Sequence, residues 1–558
     1  MLKIEISGFL NLTLYFGKAK IACKIRKMDK ENKKIYRPVV LAVLDGWGIS
    51  TEIEGNAIAN ARTPNIGNLK ANYPCIALQA SGISVGLAWG EPGNSEVGHM
   101  TLGSGIILYQ NLPRINLSIQ NGTFYSNPAL EEAMNQARRK SASLHFLGLV
   151  SNGGVHSHTD HLFALMEMAA SRGIKNLYIQ VITDGRDTLP NDGVNYIHSL
   201  QKKIAALGLG KIASIGGRNW AMDRNNNWDR VEKAYRVFVG ESESRSKDPM
   251  QVIRAAYQNK TSDEYIEPTI IVDDNNVPVG PIKDGDSVIF FNFREDRARE
   301  ITKAFVLEKF EGFPRKGWLK NIFFTTMIDY EDGLPVRVAF PPQRIDNPLA
   351  KILSQSQKTQ LHIAETEKYA HVTYFFNGGR EDPFPGEDRI LVPSPQVDFY
   401  EKTPEMSAAA LTEKLVQAVN LGKYDFILAN YANPDMISHT GNFEAAVKAV
   451  QAVDFCLGKL IKAVLSQNGA LLITADHGNA ELMIDPKTGE IETEHSVNPV
   501  PCFLVTPGNQ KERTEAQIMR HQNMVDGMLV DVPPTILELM GLPAAEDMVG
   551  NSLLPVLQ

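Results

Sequence analysis

Pro38-Val39-Val40-Leu41-Ala42-Val43-Leu44 runs straight into Asp45-Gly46, an apolar stretch ending in a carboxylate and a glycine. Two later stretches repeat the form. Asp425-Phe426-Ile427-Leu428-Ala429-Asn430 leads to Asp435-Met436-Ile437-Ser438-His439, and Ala470-Leu471-Leu472-Ile473-Thr474-Ala475 leads to Asp476-His477-Gly478. Short, nearly continuous apolar runs are the pattern of parallel strands buried on both faces. In such sheets ligands gather beyond the carboxyl ends of the strands. Helical stretches between the runs, such as 129–140 and 404–419, predict an α/β chain.

The chain has 558 residues, 43% hydrophobic and 22% charged, with a net charge of −7. Cores tend to split beyond about 250–300 residues, so two domains are expected. Polar, proline-bearing stretches at 110–114 and 340–343 read as crossings between them. The prediction is one domain built from 37–110 and 344–558, with a second, 111–343, inserted into it. The charge balance favours neither nucleic acid nor an anionic membrane as partner. No apolar run approaches the ~20 residues of a membrane span. Four widely spaced cysteines, Cys23, Cys75, Cys456 and Cys502, argue for a reducing compartment, and the expected location is the cytoplasm. Residues 1–36 read as an appendage, with Met28 as an alternative start. A monomer is expected, since no interface stripe stands out.

Asp435 and His439 are four apart and share a helix face. Asp476 and His477 can both reach one ion if the backbone bends at Gly478, and His495 offers a further ring nitrogen. Carboxylates and imidazoles without thiolates suit Mn²⁺, Zn²⁺ or Mg²⁺, and two Asp/His groups suggest a two-metal centre for phosphoryl chemistry. Any one such Asp read alone is a helix cap; three together carry the metal reading. Ser95, in Gly93-Asn94-Ser95-Glu96-Val97-Gly98-His99, reads as an N-cap on its own and as a nucleophile beside a metal.

The middle third ends its strands differently. Leu144–Val150 precedes Gly153-Gly154-Val155-His156, and Tyr178–Thr183 precedes Asp184-Gly185-Arg186-Asp187. Ile212–Ile215 precedes Arg218 and Arg224, and Val288–Phe293 precedes Arg294 and Arg297. Five arginines at strand ends of an acidic chain read as a cradle for carboxylate and phosphate. Asp187 among them can exchange a proton with a substrate hydroxyl, and His156 can orient or bind phosphate. His158 and His161 are taken as structural.

These segments, with Ala364-Glu365-Thr366-Glu367-Lys368-Tyr369 and Thr474-Ala475-Asp476-His477-Gly478-Asn479, resemble in order the signatures of the 2,3-bisphosphoglycerate-independent phosphoglycerate mutases, from about residue 38 to about residue 555. The resemblance implies an alkaline-phosphatase-like metal domain with a substrate-clamping domain inserted into it. It implies interconversion of 3-phosphoglycerate and 2-phosphoglycerate through a phosphoserine on Ser95, in glycolysis and gluconeogenesis, without bisphosphoglycerate. One metal would lie on Asp435, His439 and His495 and another on Asp45, Ser95, Asp476 and His477. Manganese is the usual ion, with Mg²⁺ or Co²⁺ as alternatives. Substrate would meet His156, Arg186, Asp187, Arg218, Arg224, Arg294, Arg297 and Lys368. The chain departs at Pro92, where the family commonly has methionine, at Asn152 and Asn219, and at Ser496-Val497 after His495. A metal-dependent phosphatase or phosphopentomutase is the rival enzyme, and an inactive metal-binding scaffold the rival of another class.

Overall fold

The computed structural model describes residues 34–140 and 142–557, so most of the expected 1–36 appendage lies outside the described residues. Of its last residues, Tyr36 donates its amide to Leu539 O at 3.0 Å.

Among the described residues, two eight-stranded sheets carry the fold. From edge to edge the first runs Glu387–Val392, Gln360–Glu365, Phe426–Tyr431, Val39–Leu44, Ala470–Thr474, Val500–Val505, Cys75–Gln79 and Val525–Met528. Its five leading strands are parallel, and Val500–Val505 runs antiparallel to both neighbours. Val39–Leu44 is buried along its whole length because it is central and covered on both faces. Leu44 pairs with Tyr431 and Val43 with Thr474, so Asp45, Asp435 and Asp476 leave the sheet at one edge.

The second sheet runs Arg337–Phe340, Phe323–Ile328, Ser287–Phe290, Leu144–Leu149, Leu177–Thr183, Lys211–Gly217, Thr269–Ile271 and Arg245–Ser246. Leu149 pairs with Ile182, Leu147 with Phe290 and Thr183 with Gly217. That register sends the His156, Arg186, Arg218 and Arg294 segments off one edge. Every strand of this sheet lies in sequence between Cys75–Gln79 and Gln360–Glu365, as an inserted α/β domain requires. Each sheet has its own apolar core, one spanning residues from Val39 to Leu102 and Leu349 to Leu557, the other Ile115 to Phe340.

Two local readings differ. Residues 110–114 are not an irregular linker, since the helix Asn111–Gln120 starts there; Pro113 sits in its first turn, where no amide donor is required. The helix expected from residue 404 spans Ala408–Leu421, because Met406 has φ of 44° and breaks a helix there. The two crossings touch. Arg114 Nη1 donates to Pro341 O at 2.7 Å, and its guanidinium lies 5.4 Å from the Phe340 ring centre. Cys75, Cys456 and Cys502 are buried free thiols; Cys23 lies outside the described residues.

Candidate functional site

The edge shared by Asp45, Asp435 and Asp476 is closed by a helix and two loops. Helix Ser95–Ser104 is capped by Asn94, whose side chain accepts from the Val97 amide, so Ser95 is the first helical residue and not the cap. Close packing holds it there. A β-carbon on Gly98 would lie 2.7 Å from Asp476 Cβ, and one on Gly46 (φ 73°) 2.9 Å from Asp435 Cα. Gly478 serves by space as well: a β-carbon there would meet Ser496 Oγ at 2.4 Å.

Ser95 Oγ lies 3.1 Å from Asp45 Oδ1 and 3.0 Å from His477 Nε2, which is 3.4 Å from Asp45 Oδ1. Asp476 completes this group, with its Oδ2 buried and accepting no hydrogen bond. The second group is Asp435, His439 and His495. His439 Nδ1 faces Thr493 O at 2.8 Å and His495 Nδ1 faces Gly93 O at 2.9 Å. A carbonyl cannot donate, so both Nδ1 atoms carry protons and each ring turns its Nε2 toward Asp435, where a cation that displaces any Nε2 proton would meet a lone pair. Those two Nε2 atoms are 3.0 Å apart and lie 3.2 and 3.3 Å from Asp435 Oδ1. Three ligand atoms thus face one point. Ligands about 2.0–2.1 Å from a tetrahedral ion sit roughly 3.3 Å from one another, so the donor set fits a divalent cation. Two such groups of carboxylate and imidazole donors side by side suit divalent metal ions.

Lys368 joins the two groups. Its Nζ donates to Asp45 Oδ1 at 2.7 Å, Asp435 Oδ2 at 2.6 Å and Ser95 Oγ at 2.8 Å. Burial opposes its charge, but Asp45, Asp435 and Asp476 outweigh that and hold the ammonium above its ordinary pKa. Burial likewise would raise Asp435, yet Lys368, His439 and His495 keep its carboxyl well below the usual range. His477 is disfavoured as a cation by burial and favoured by Asp476, the balance raising it to about 9. A bound cation replaces that proton.

The second cluster sits on the other sheet. Arg218, 2% exposed, bonds Asp184 Oδ1 and Asp187 Oδ2, each at 2.6 Å. Arg224 and Arg294 both reach Asp296, at 2.9 and 3.3 Å, Arg186 reaches Glu264 at 2.7 Å, and Arg297 donates to Met222 O. The arginines therefore converge, each braced by an acidic or carbonyl oxygen, with Arg186, Arg224 and Arg294 about half exposed. His156 Nδ1 is buried without a hydrogen bond, 3.7 Å from Asp296. Burial, then Arg218, pushes its pKa down to about 4, so it is neutral at pH 7. His161 bonds Asn116 at 2.7 Å, and the His158 side chain caps helix Thr159–Ser171.

The sequence reading passed over Asn479, which donates to Asp435 Oδ1 at 2.9 Å, and over Glu481. Buried Glu481 accepts from the Gly48 and Asn479 amides and from Ser496 and Asn498, fixing the loop that presents His495. Asn479 directly follows the strand-end Asp476-His477-Gly478, whereas nothing in the sequence pattern marks Glu481.

A family model described as BPG-independent PGAM N-terminus matches residues 115–332, and one described as Type I phosphodiesterase / nucleotide pyrophosphatase matches 324–514. The chain is 49% identical over 517 residues to the 2,3-bisphosphoglycerate-independent phosphoglycerate mutase of Thermomicrobium roseum, covering 92% of this chain and 98% of that one. It is 47% identical over 519 residues to that of Clostridioides difficile, covering 93% and 99%. Among solved structures, a Leishmania mexicana phosphoglycerate mutase at low cobalt concentration aligns over 93% of this chain and 98% of that chain, with 31% identity and a TM-score of 0.48.

Proposed function

Because the chain belongs to the 2,3-bisphosphoglycerate-independent phosphoglycerate mutases, isomerases that interconvert 3-phosphoglycerate and 2-phosphoglycerate, we propose that Ser95 carries the phosphoryl group between the two hydroxyls. The observation that supports this most is the Ser95 Oγ within 3.1 Å of Asp45, His477 and Lys368. Asp435, His439 and His495 would hold one ion and Asp45, Ser95, Asp476 and His477 another, with Mn²⁺ in both. Bound there, the ions supply Lewis acidity toward the phosphoryl oxygens and favour the ionised serine.

Ser95 Oγ attacks phosphorus in line, and the bond from phosphorus to the glycerate oxygen breaks as the bond to serine forms. Lys368 Nζ faces the charge on the equatorial oxygens. Ser95 Oγ gives up its proton as it attacks and the departing glycerate oxygen takes one up. The return step reverses this, Asp187 taking the hydroxyl proton and Ser95 Oγ regaining one as its bond to phosphorus breaks. Arg186, Arg218, Arg224, Arg294 and Arg297 then hold the glycerate carboxylate while it turns to present its other hydroxyl, and neutral His156 orients it. Asp187 Oδ2, fixed by Arg218, removes that hydroxyl proton as the oxygen attacks phosphoserine. Water must be kept out while phosphoserine exists, and closing one sheet-bearing half on the other achieves this. The domain boundaries we assign are 37–110 with 344–558 for the metal half and 111–343 for the clamp. They are supported by the two separate cores.

The test is a coupled assay with enolase, 3-phosphoglycerate and Mn²⁺, without bisphosphoglycerate, on wild type and Ser95→Ala. Turnover in wild type and none in the folded variant is expected; turnover in the variant removes Ser95 from its role. Phosphate release would mark a phosphatase, pentose phosphate conversion a phosphopentomutase, and metal binding without turnover an inactive scaffold. Among the described residues no helix is long and apolar enough to cross a membrane. A cytoplasmic location is our reading of the cysteine usage, checked by fractionation, and a monomer our reading of a sequence in which no interface stripe stands out, checked by light scattering.

A further inference from the structure

Two buried side chains that no step above uses join the proposed ligands from behind. His99, 0% exposed, lies one turn after Ser95 in helix Ser95–Ser104. Its Nδ1 is 3.0 Å from Ser95 O and 3.1 Å from Asp476 Oδ2. Both oxygens only accept, so Nδ1 bears the ring proton and Nε2 a lone pair. Asn430, at the end of the central strand Phe426–Tyr431, donates from Nδ2 to that Nε2 at 3.0 Å and to Asp45 Oδ2 at 2.7 Å. The amide orientation is fixed by its partners: turned over, its oxygen would face a carboxylate and a lone pair, neither of which can donate. Behind His99, the His371 ring packs at 5.5 Å between centroids and restricts the imidazole.

Asp45, Asn430 and His99 thus form one buried hydrogen-bonded chain that ends on the main chain of Ser95, with Asp476 Oδ2 held 3.1 Å from the same Nδ1–H as an electrostatic partner. We infer that His99 and Asn430 are positioning residues that set the angle of the Asp45 and Asp476 carboxylates and the seat of the Ser95 turn. They thereby govern cation affinity at that site without touching ion or substrate. The inference rests on the assignment of Asp45 and Asp476 as ligands. Its physical basis is that a buried carboxylate free to rotate must be ordered when the ion arrives, whereas one already bonded from behind is not. The two bonds of the imidazole also separate cleanly. Asparagine can replace the Nδ1 donor, and glutamine can replace the Nε2 acceptor.

Apo full-length protein would be titrated with Mn²⁺, counting sites and affinities by calorimetry and free-ion paramagnetic resonance. His99→Gln keeps the link to Asn430 but loses the donor toward Asp476, and is expected to weaken one of the two sites by about 10–100-fold. His99→Asn restores the donor and should recover most of that loss. Asn430→Ser, which frees Asp45 Oδ2, should weaken the same site and carries the test should His99→Gln not fold. A merely structural role would lower the apo melting temperature and leave the Mn²⁺ affinities alone; unchanged affinities in the folded variants overturn the inference. Wild type that binds no ion sensitive to Asp45→Asn overturns instead the ligand assignment beneath it.

Discussion

Replacing Lys368 by methionine removes one charge from the centre of the site while keeping the length of the side chain. Its Nζ lies 2.6–2.8 Å from oxygens of Asp45, Asp435 and Ser95, and the residue is 4% exposed. Without metal, three buried carboxylates, Asp45, Asp435 and Asp476, share this ammonium as their closest fixed cation besides His477. Breaking a buried pair on one side leaves an uncompensated charge and costs about 3–5 kcal/mol. For a domain of this size that is on the order of 10 °C in melting temperature. With Mn²⁺ bound the ions supply the missing positive charge, so the loss should shrink to less than half. Activity should not recover with it. A donor aimed at charge that develops in the transition state is worth about 10²–10³ in kcat. Melting of apo and Mn²⁺-loaded protein, with the enolase-coupled rate, reads all three quantities. An apo variant as stable as wild type, or an unchanged kcat, would refute the placement of Lys368 as counter-charge and transition-state donor.

Other outcomes follow from the same geometry. Arg218→Leu strands the buried Asp184 carboxylate and should cost about 3–5 kcal/mol in denaturant unfolding, while abolishing turnover because the partly exposed Asp187 is no longer fixed. Chelation should abolish activity and added Mn²⁺ restore it, with phosphoserine-dependent turnover absent in between. His362 is fully buried, and burial pushes its pKa down to about 4 from 6.5. A depressed group contributes stability that is complete above the unfolded pKa and lost as pH falls through the folded one. The contribution, about 3 kcal/mol from that difference, should therefore disappear between pH 6.5 and pH 4. In chelator, His362→Asn, which keeps a donor toward Val372 O, should flatten urea-unfolding stability over that window; an identical slope would contradict it.

The strand ends were legible where the strand is apolar throughout. Val39–Leu44, Phe426–Tyr431 and Ala470–Thr474 are central and fully buried, and the acids that follow them meet at one edge. Strand Gln360–Glu365 hides the polar Gln360, His362 and Glu365 in the interior, so no apolar run marks it, and Lys368 beyond it was reached by resemblance alone. The arginine cradle was visible as a set of strand ends, but its acidic braces were not. Asp296 lies two residues from Arg294 in sequence, but Arg224 reaches it, and Arg186 reaches Glu264, only because the register of the second sheet brings distant segments together. His495 depends on a loop held by Glu481, a contact between positions with no shared periodicity. The crossing at 110–114 was misread locally because proline in the first helical turn looks like proline in a linker.

The claim on which the mechanism stands is that the phosphoryl group visits Ser95. Enzyme loaded with Mn²⁺, mixed with 3-phosphoglycerate and quenched in acid within one turnover, can be digested and weighed peptide by peptide. The expected result is one phosphoryl group on the peptide containing Ser95, absent from Ser95→Ala. Full turnover with that peptide never modified, or with the phosphoryl group on another residue, would contradict it.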